Sequence, residues 1–234
     1  MSAAAAWRCC LAAGLIAFGC SYGFGRIPGL HPCGDTAGLG AIIAFEFART
    51  PADLAALFGA EPCRSTLASA QRTGLWLDAM GFIPSYTAFL CFAARATGDL
   101  RRRWVIPLLI AAGVADEIEG LVLSTILRGL PGSPALLHAL PWPVHIKFIL
   151  LAFGTALLGM MIGAGRPQLA IAIAAIVAIS GAALFAFVHL LLDPALMMAG
   201  FTLAWSTLLL VAAIGAVWPR LLAPRPPTPA VPSA

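Results

Sequence analysis

Three carboxylates in the middle of an apolar run are the side chains of this sequence best suited to chemistry. The run Val105–Arg128 is long enough to cross a bilayer, and Asp116, Glu117 and Glu119 lie near its centre. At a rise of about 1.5 Å per residue, Asp116 lies roughly 15 Å into the span, near the midplane of a hydrocarbon core about 30 Å thick. An ionised acid costs about 2.5 to 3.5 kcal/mol there, so these groups must face protein or water, or be protonated.

Neighbouring carboxylates at this depth suit proton transfer or the binding of a cation. Two of them cannot both ionise easily at close range, which suits a proton relay or a general acid and base. At about 100° per residue, Asp116 and Glu119 lie about 60° apart on the helix, and we predict that they form the acid pair. Glu117 points away from this pair, beside a stripe of small residues that lets another helix approach closely. The stripe consists of Gly113, Gly120 and Ser124.

The neighbouring predicted spans supply further polar groups. We predict Asp78 as a third catalytic carboxylate, with Tyr86 on the flank of the same helix. His145 and Lys147 are expected above these carboxylates, nearer the outer side of the membrane. The predicted binding residues are Tyr86, Glu117, His145 and Lys147. Two of these polar groups have structural alternatives. Asp78 suits the first turn of a helix, where it would offset the helix dipole, and Lys147 suits snorkelling to the headgroups rather than pairing with Asp78 or Glu119. Asp116, Glu117 and Glu119 also have a structural alternative, in which Ser124, Tyr86 or Lys147 pairs with their carboxylates and they have no functional role.

The segment around Asp78 resembles a known membrane domain. Asp78–Phe89, DAMGFIPSYTAF, followed by acids in the next span, is similar to the acid, proline and tyrosine pattern of the EXPERA domain. That family includes sterol isomerases and the sigma-2 receptor. It usually has four or five spans, whereas six are predicted here.

Composition defines the class of protein. Of 234 residues 61% are hydrophobic and only 10% charged, against about 25% charged in soluble proteins, so the chain is predicted to be an all-α polytopic membrane bundle. The net charge is +4, and the sequence contains no basic block interleaved with aromatic residues. This excludes nucleic acid as a partner. No CxxC, HExxH, P-loop or GxGxxG motif occurs, and the four histidines lie outside the spans or near their ends. We therefore predict no metal and no cofactor.

Hydropathy and arginine positions predict the topology. About six spans are expected within a single domain of residues 1–218, followed by a disordered, proline-rich cytoplasmic tail, 219–234. Short-loop arginines place both termini in the cytoplasm, and we expect a bacterial inner membrane. A secretory signal is the alternative interpretation of the first span, about Cys9–Phe24. The predicted spans are Cys9–Phe24, Gly74–Ala94, Val105–Arg128, Val144–Gly163, Leu169–Leu192 and Ala195–Trp218.

A long extracytoplasmic loop, residues 25–73, is predicted between the first two spans. Ala37–Ala48 is apolar but too short to span, which indicates an interfacial or re-entrant helix, with Glu46 as its only charge. Thr50, Pro51 and Asp53 form a helix start. Cys33 and Cys63 bracket these elements, and we predict a disulfide bond between them, the alternative being two free thiols.

These observations predict an outward-opening pocket for a small amphiphilic or cationic molecule, which the protein binds or transforms. One alternative is a proton-coupled transporter in which Asp116 or Glu119 carries the proton. Another is a non-catalytic subunit whose small-residue faces bind partner membrane helices.

Overall fold

A computed structural model describes residues 1–130, 132–164 and 173–222 of the protein. Within them the secondary structure is entirely helical, which confirms the predicted helical class. The start of the predicted span Leu169–Leu192 and most of the predicted tail, residues 223–234, lie outside the described residues. The α-helices are α1 (Ala3–Phe24), α2 (Ala41–Glu46), α3 (Pro51–Phe58), α4 (Cys63–Leu77), α5 (Ile83–Thr97), α6 (Arg102–Arg128), α7 (Pro134–Ala139), α8 (Pro141–Gly163), α9 (Ala182–His189) and α10 (Pro194–Val217).

Four helical segments are long and apolar enough to cross a membrane. They are Ala3–Phe24, Cys63–Thr97, Pro134–Gly163 and Pro194–Val217. Helix α6 has the length, at 27 residues, but its central acids lower its apolar character. The helix Ile173–His189 is apolar but shorter. Four of the six predicted spans thus lie on helices that are long and apolar enough to cross a membrane, whereas the spans predicted at Val105–Arg128 and Leu169–Leu192 do not meet both criteria within the described residues.

The second of these four segments begins earlier than its hydropathy suggested. It runs unbroken from Cys63 to Thr97, so the loop before it ends at Pro62 rather than near residue 73. A π-helical turn, Asp78–Phe82, joins α4 to α5. Asp78 therefore lies in the middle of a long helix, and the alternative in which it offsets the dipole of a first turn does not apply.

The helices pack as an antiparallel bundle around small residues. Helix α1 lies against α5 and α10, α6 lies between α5 and α8, and α9 packs against α8 and α10. Gly14 of α1 shows how close the approach is, because a Cβ atom there would lie 2.7 Å from Leu209 and 2.8 Å from Phe89. Trp7 of α1 is buried in the same seam. Helix α1 ends, and helices α8 and α10 begin, at the same side of the bundle. We call this side the loop end.

The loop between α1 and α4 folds over the loop end. Helix α3 begins with the predicted cap: Thr50 Oγ1 accepts from the amide of Asp53, whose carboxylate accepts from the amides of Arg49 and Thr50. Partial burial raises the pKa of Asp53, but the hydrogen bonds from these backbone amides outweigh it and hold the pKa below its usual range. The cap therefore persists at neutral pH. A disulfide bond joins Cys33 to Cys63, whose Cα atoms are 5.9 Å apart.

Helix α2 is anchored beneath this loop. Its bounds, Ala41–Glu46, are narrower than the predicted Ala37–Ala48. The buried amide of Gln71 donates to the carbonyl oxygen of Ala41 over 2.8 Å. This bond fixes the start of α2 against α4, so that the last residue of α2, Glu46, turns into the bundle, where it is buried.

Candidate functional site

Lys147 lies at the centre of a buried cluster of charges. Its ammonium nitrogen is 2.9 Å from Asp116 Oδ1 and 2.8 Å from Glu119 Oε2. A third carboxylate, Glu46 Oε2, lies 3.1 Å away. Lys147 is 4% exposed, so it does not snorkel to the headgroups. The ammonium occupies the point at which three carboxylates converge.

Three separate elements position these groups. Asp116 and Glu119 are one turn apart on α6 and share the face that packs against α8. Lys147 comes from the first two turns of α8. Glu46 comes from the end of α2, which reaches the cluster only because the loop folds back between the helices. The cluster therefore depends on both helix packing and the conformation of the loop.

Tyr86 extends the cluster to a fourth helix. Its hydroxyl donates to Asp116 Oδ2 over 2.8 Å, and the side chain is fully buried. Asp116 is thus held on both oxygens, by Lys147 on one and by Tyr86 on the other. Glu119 differs, because its Oε2 atom pairs with the ammonium by charge without an aligned hydrogen bond. Asp116 is the fixed member of the predicted acid pair and Glu119 the less restrained one.

The cluster carries more negative than positive charge. Three carboxylates surround one ammonium, so full ionisation would leave two negative charges without an ion-pair partner. The guanidinium of Arg49, which donates to the carbonyl oxygen of Glu46, lies nearby and offsets part of this excess. Burying unpaired charge is costly, so such a site favours the uptake of a proton or of a cationic group. The excess negative charge is therefore the property that would let the cluster bind a proton or a cation.

An aromatic cavity of about 310 Å³ opens beside the cluster. Glu46, Asp116 and Lys147 line its polar end. Its apolar walls include Phe82, Tyr86, Phe148, Phe201 and Trp205. The rings of Tyr86 and Trp205 lie 5.3 Å apart and join the polar end to the walls. The volume is at the lower end of the range of about 300 to 1,000 Å³ that is typical of ligand pockets.

Asp78 lies between this cavity and a second one. A groove of about 370 Å³ between α4 and α6 is lined by Asp78, Glu117 and Gly120, and Asp78 is the residue that lines both spaces. No hydrogen bond or ion pair to its carboxylate is present in the part of the chain that the structure describes. Asp78 is therefore a free carboxylate at the cavity wall.

Two predicted binding residues lie apart from the cluster. Glu117 is half-buried and faces the groove rather than the cavity. His145 turns back on its own helix, where Nδ1 is 2.6 Å from the carbonyl oxygen of Pro141. The structure thus brings together Asp116, Glu119, Lys147 and Tyr86 and leaves these two outside.

Sequence reasoning did not select Glu46 as a site residue. Its position could have identified it, because it is the single acid of a short apolar segment. A carboxylate in a buried helix needs a charged or hydrogen-bonding partner. The aromatic walls carried no separate signal, because aromatic side chains at helical spacing are also typical of an ordinary core. Comparison with protein families, with curated proteins and with solved structures finds no match. The geometry of the site is therefore the only indication of function among the described residues.

Proposed function

We propose that the protein is a six-span membrane protein whose cavity binds a small amphiphilic or cationic molecule. The observation that supports this is the excess of carboxylates at the polar end of an aromatic cavity. The cationic group of the ligand would lie at the carboxylates, and its apolar part against the rings of Tyr86 and Trp205. Aromatic faces also attract cations directly.

The proposed topology places α6 and the segment ending at His189 as spans three and five. The burial of the acids of α6 against α8 supports this, because paired acids can lie at membrane depth. Arg95, Arg101, Arg102 and Arg103 lie at the end opposite the loop end. By the positive-inside rule the loop end is then extracytoplasmic, in a bacterial inner membrane, with both termini in the cytoplasm.

The test compares two carboxylates that face different spaces. Asp78 lines the cavity, whereas Glu117 faces only the groove, so Asp78→Asn and Glu117→Gln are a matched pair of neutral, nearly isosteric changes. In native mass spectrometry of gently extracted protein, we expect wild type and Glu117→Gln to retain a bound small molecule and Asp78→Asn to lose it. The mass of that molecule would identify the ligand class.

Two results would contradict the proposal. One is equal retention in all three proteins, which would place the ligand elsewhere. The other is the absence of a small molecule together with a stable assembly with other polypeptides, which would make the acids structural and the chain a subunit of a complex.

A proton-coupled transporter is the second candidate, and Asp78 is the observation that favours it. Its position on both the cavity and the groove gives a proton a path toward the cluster through a single carboxylate. In this case transport of the cavity ligand into vesicles should collapse with the proton gradient, and Asp78→Asn should retain the ligand but transport it independently of the gradient. Uptake indifferent to the gradient would exclude this candidate.

A further inference from the structure

Helices α1 and α10 are in contact over only part of their length. At the end far from the loops, a Cβ atom on Gly215 would lie 2.6 Å from Trp7. Two turns nearer the loop end, a Cβ atom on Gly14 would lie 2.7 Å from Leu209. In an antiparallel pair, the next two turns bring Ser21 opposite Thr202 at the same level. Continued packing would bury both residues.

Instead, Ser21 and Thr202 are both exposed, and both line the aromatic cavity. The two helices therefore both border the cavity at this level and do not bury these residues against each other. The cavity thus reaches the surface at these two residues, and Trp205, one helical turn from Thr202, lines it as well. We call this opening, bordered by Ser21 and Thr202, the slot.

On the α10 side, the slot suits contact with hydrocarbon. Thr202 Oγ1 donates to the carbonyl oxygen of Met198 over 2.8 Å, which satisfies its hydroxyl within its own helix. The half-buried side chains of Phe18 and Met198 complete the border. A side chain that meets its own hydrogen-bonding needs can face lipid, where water would not be present to do so.

We propose that the ligand is an amphiphile with a cationic amine head and an alkyl chain, and that it reaches the cavity from the bilayer through the slot. This rests on the proposed function and specifies its substrate class. The head lies near the free carboxylate of Asp78 and the cluster around Lys147. A cavity of about 310 Å³ is too small for a long chain, so the chain extends through the slot into the membrane.

Fluorescence quenching in phosphatidylcholine vesicles tests both parts. The probe is a long-chain alkylammonium with a nitroxide on the chain, and the matched probe has a carboxylate head on the same chain. The Trp205 signal is obtained by subtracting the emission of Trp205→Phe. We expect the ammonium probe to quench Trp205 at a lower mole fraction in the membrane than the carboxylate probe requires. The reason is the excess negative charge at the polar end of the cavity.

The slot is tested by narrowing it. Ser21→Phe with Thr202→Phe should slow quenching by the ammonium probe at least about tenfold. The matched control, Leu15→Phe with Leu203→Phe, changes exposed positions of the same two helices that do not line the cavity, and should quench at the wild-type rate. If the double slot variant does not fold, Ser21→Phe alone decides, since no hydrogen bond of the Ser21 side chain is present in the described residues.

The outcomes separate the two proposals. A preference for the ammonium probe with an unchanged rate in the slot variant would overturn the slot and leave the proposed function intact. Equal quenching by both probes in folded wild type would overturn the cationic head, and no quenching of Trp205 by either probe would overturn the proposed function itself.

Discussion

Replacing Lys147 with methionine is expected to destabilise the protein by about 3 to 5 kcal/mol, the range for breaking a buried charge network by removing one partner. The ammonium is the common partner of Glu46, Asp116 and Glu119, and all four groups are buried. Methionine keeps much of the side-chain volume, so the loss would come from the carboxylates that remain without a counter-charge. The measurement is the midpoint of unfolding in mixed micelles of increasing denaturing detergent.

A rescue variant separates charge from packing. Adding Glu46→Gln and Glu119→Gln to Lys147→Met removes two of the three carboxylates and should restore most of the lost stability. The control is Arg103→Met, a cation on the exposed start of α6, which should change stability little. A Lys147→Met protein as stable as wild type would show that the acids are protonated and need no counter-charge, and this would remove the electrostatic basis of the site.

Cys33→Ser is expected to cost about 3 to 4 kcal/mol, because the disulfide bond closes a loop of 30 residues and restricts the unfolded chain. The bond also holds the loop that carries Glu46, so the variant should lose bound ligand as well as stability. A mobility shift on non-reducing gels, present in wild type and absent in Cys33→Ser, would establish the bond in cells.

Cys91→Ser provides the control for this prediction, since Cys91 is a free, half-buried cysteine in α5. It should keep both the mobility shift and the thermal stability of wild type. Labelling of both Cys33 and Cys63 by a thiol reagent in intact cells would contradict the prediction, because only free thiols react.

Local sequence patterns determined much of this protein. The apolar composition predicted a helical membrane bundle, and helical spacing placed Asp116 and Glu119 on one face of α6. Thr50, Pro51 and Asp53 predicted the start of α3, which the structure confirms. Each of these features depends on residues within one or two turns of each other, for which the geometry of the helix is enough.

Depth within the bundle was harder to predict. Hydropathy placed the second span from about Gly74, whereas the helix begins at Cys63, because its first turns are polar and give no apolar signal. That difference moved Asp78 from a helix end to the middle of a helix. His145 and Lys147, two residues apart on α8, face different directions, so only Lys147 meets the acids.

Only the tertiary structure decided which groups meet. Glu46 lies 101 residues from Lys147 in sequence and reaches it because Gln71 and the disulfide bond direct the loop back into the bundle. Ser21 and Thr202 likewise line one cavity because α1 and α10, which are in contact at Gly14, lie side by side in the bundle. Contacts of this kind depend on the path of the whole chain, and no spacing within one segment contains that information.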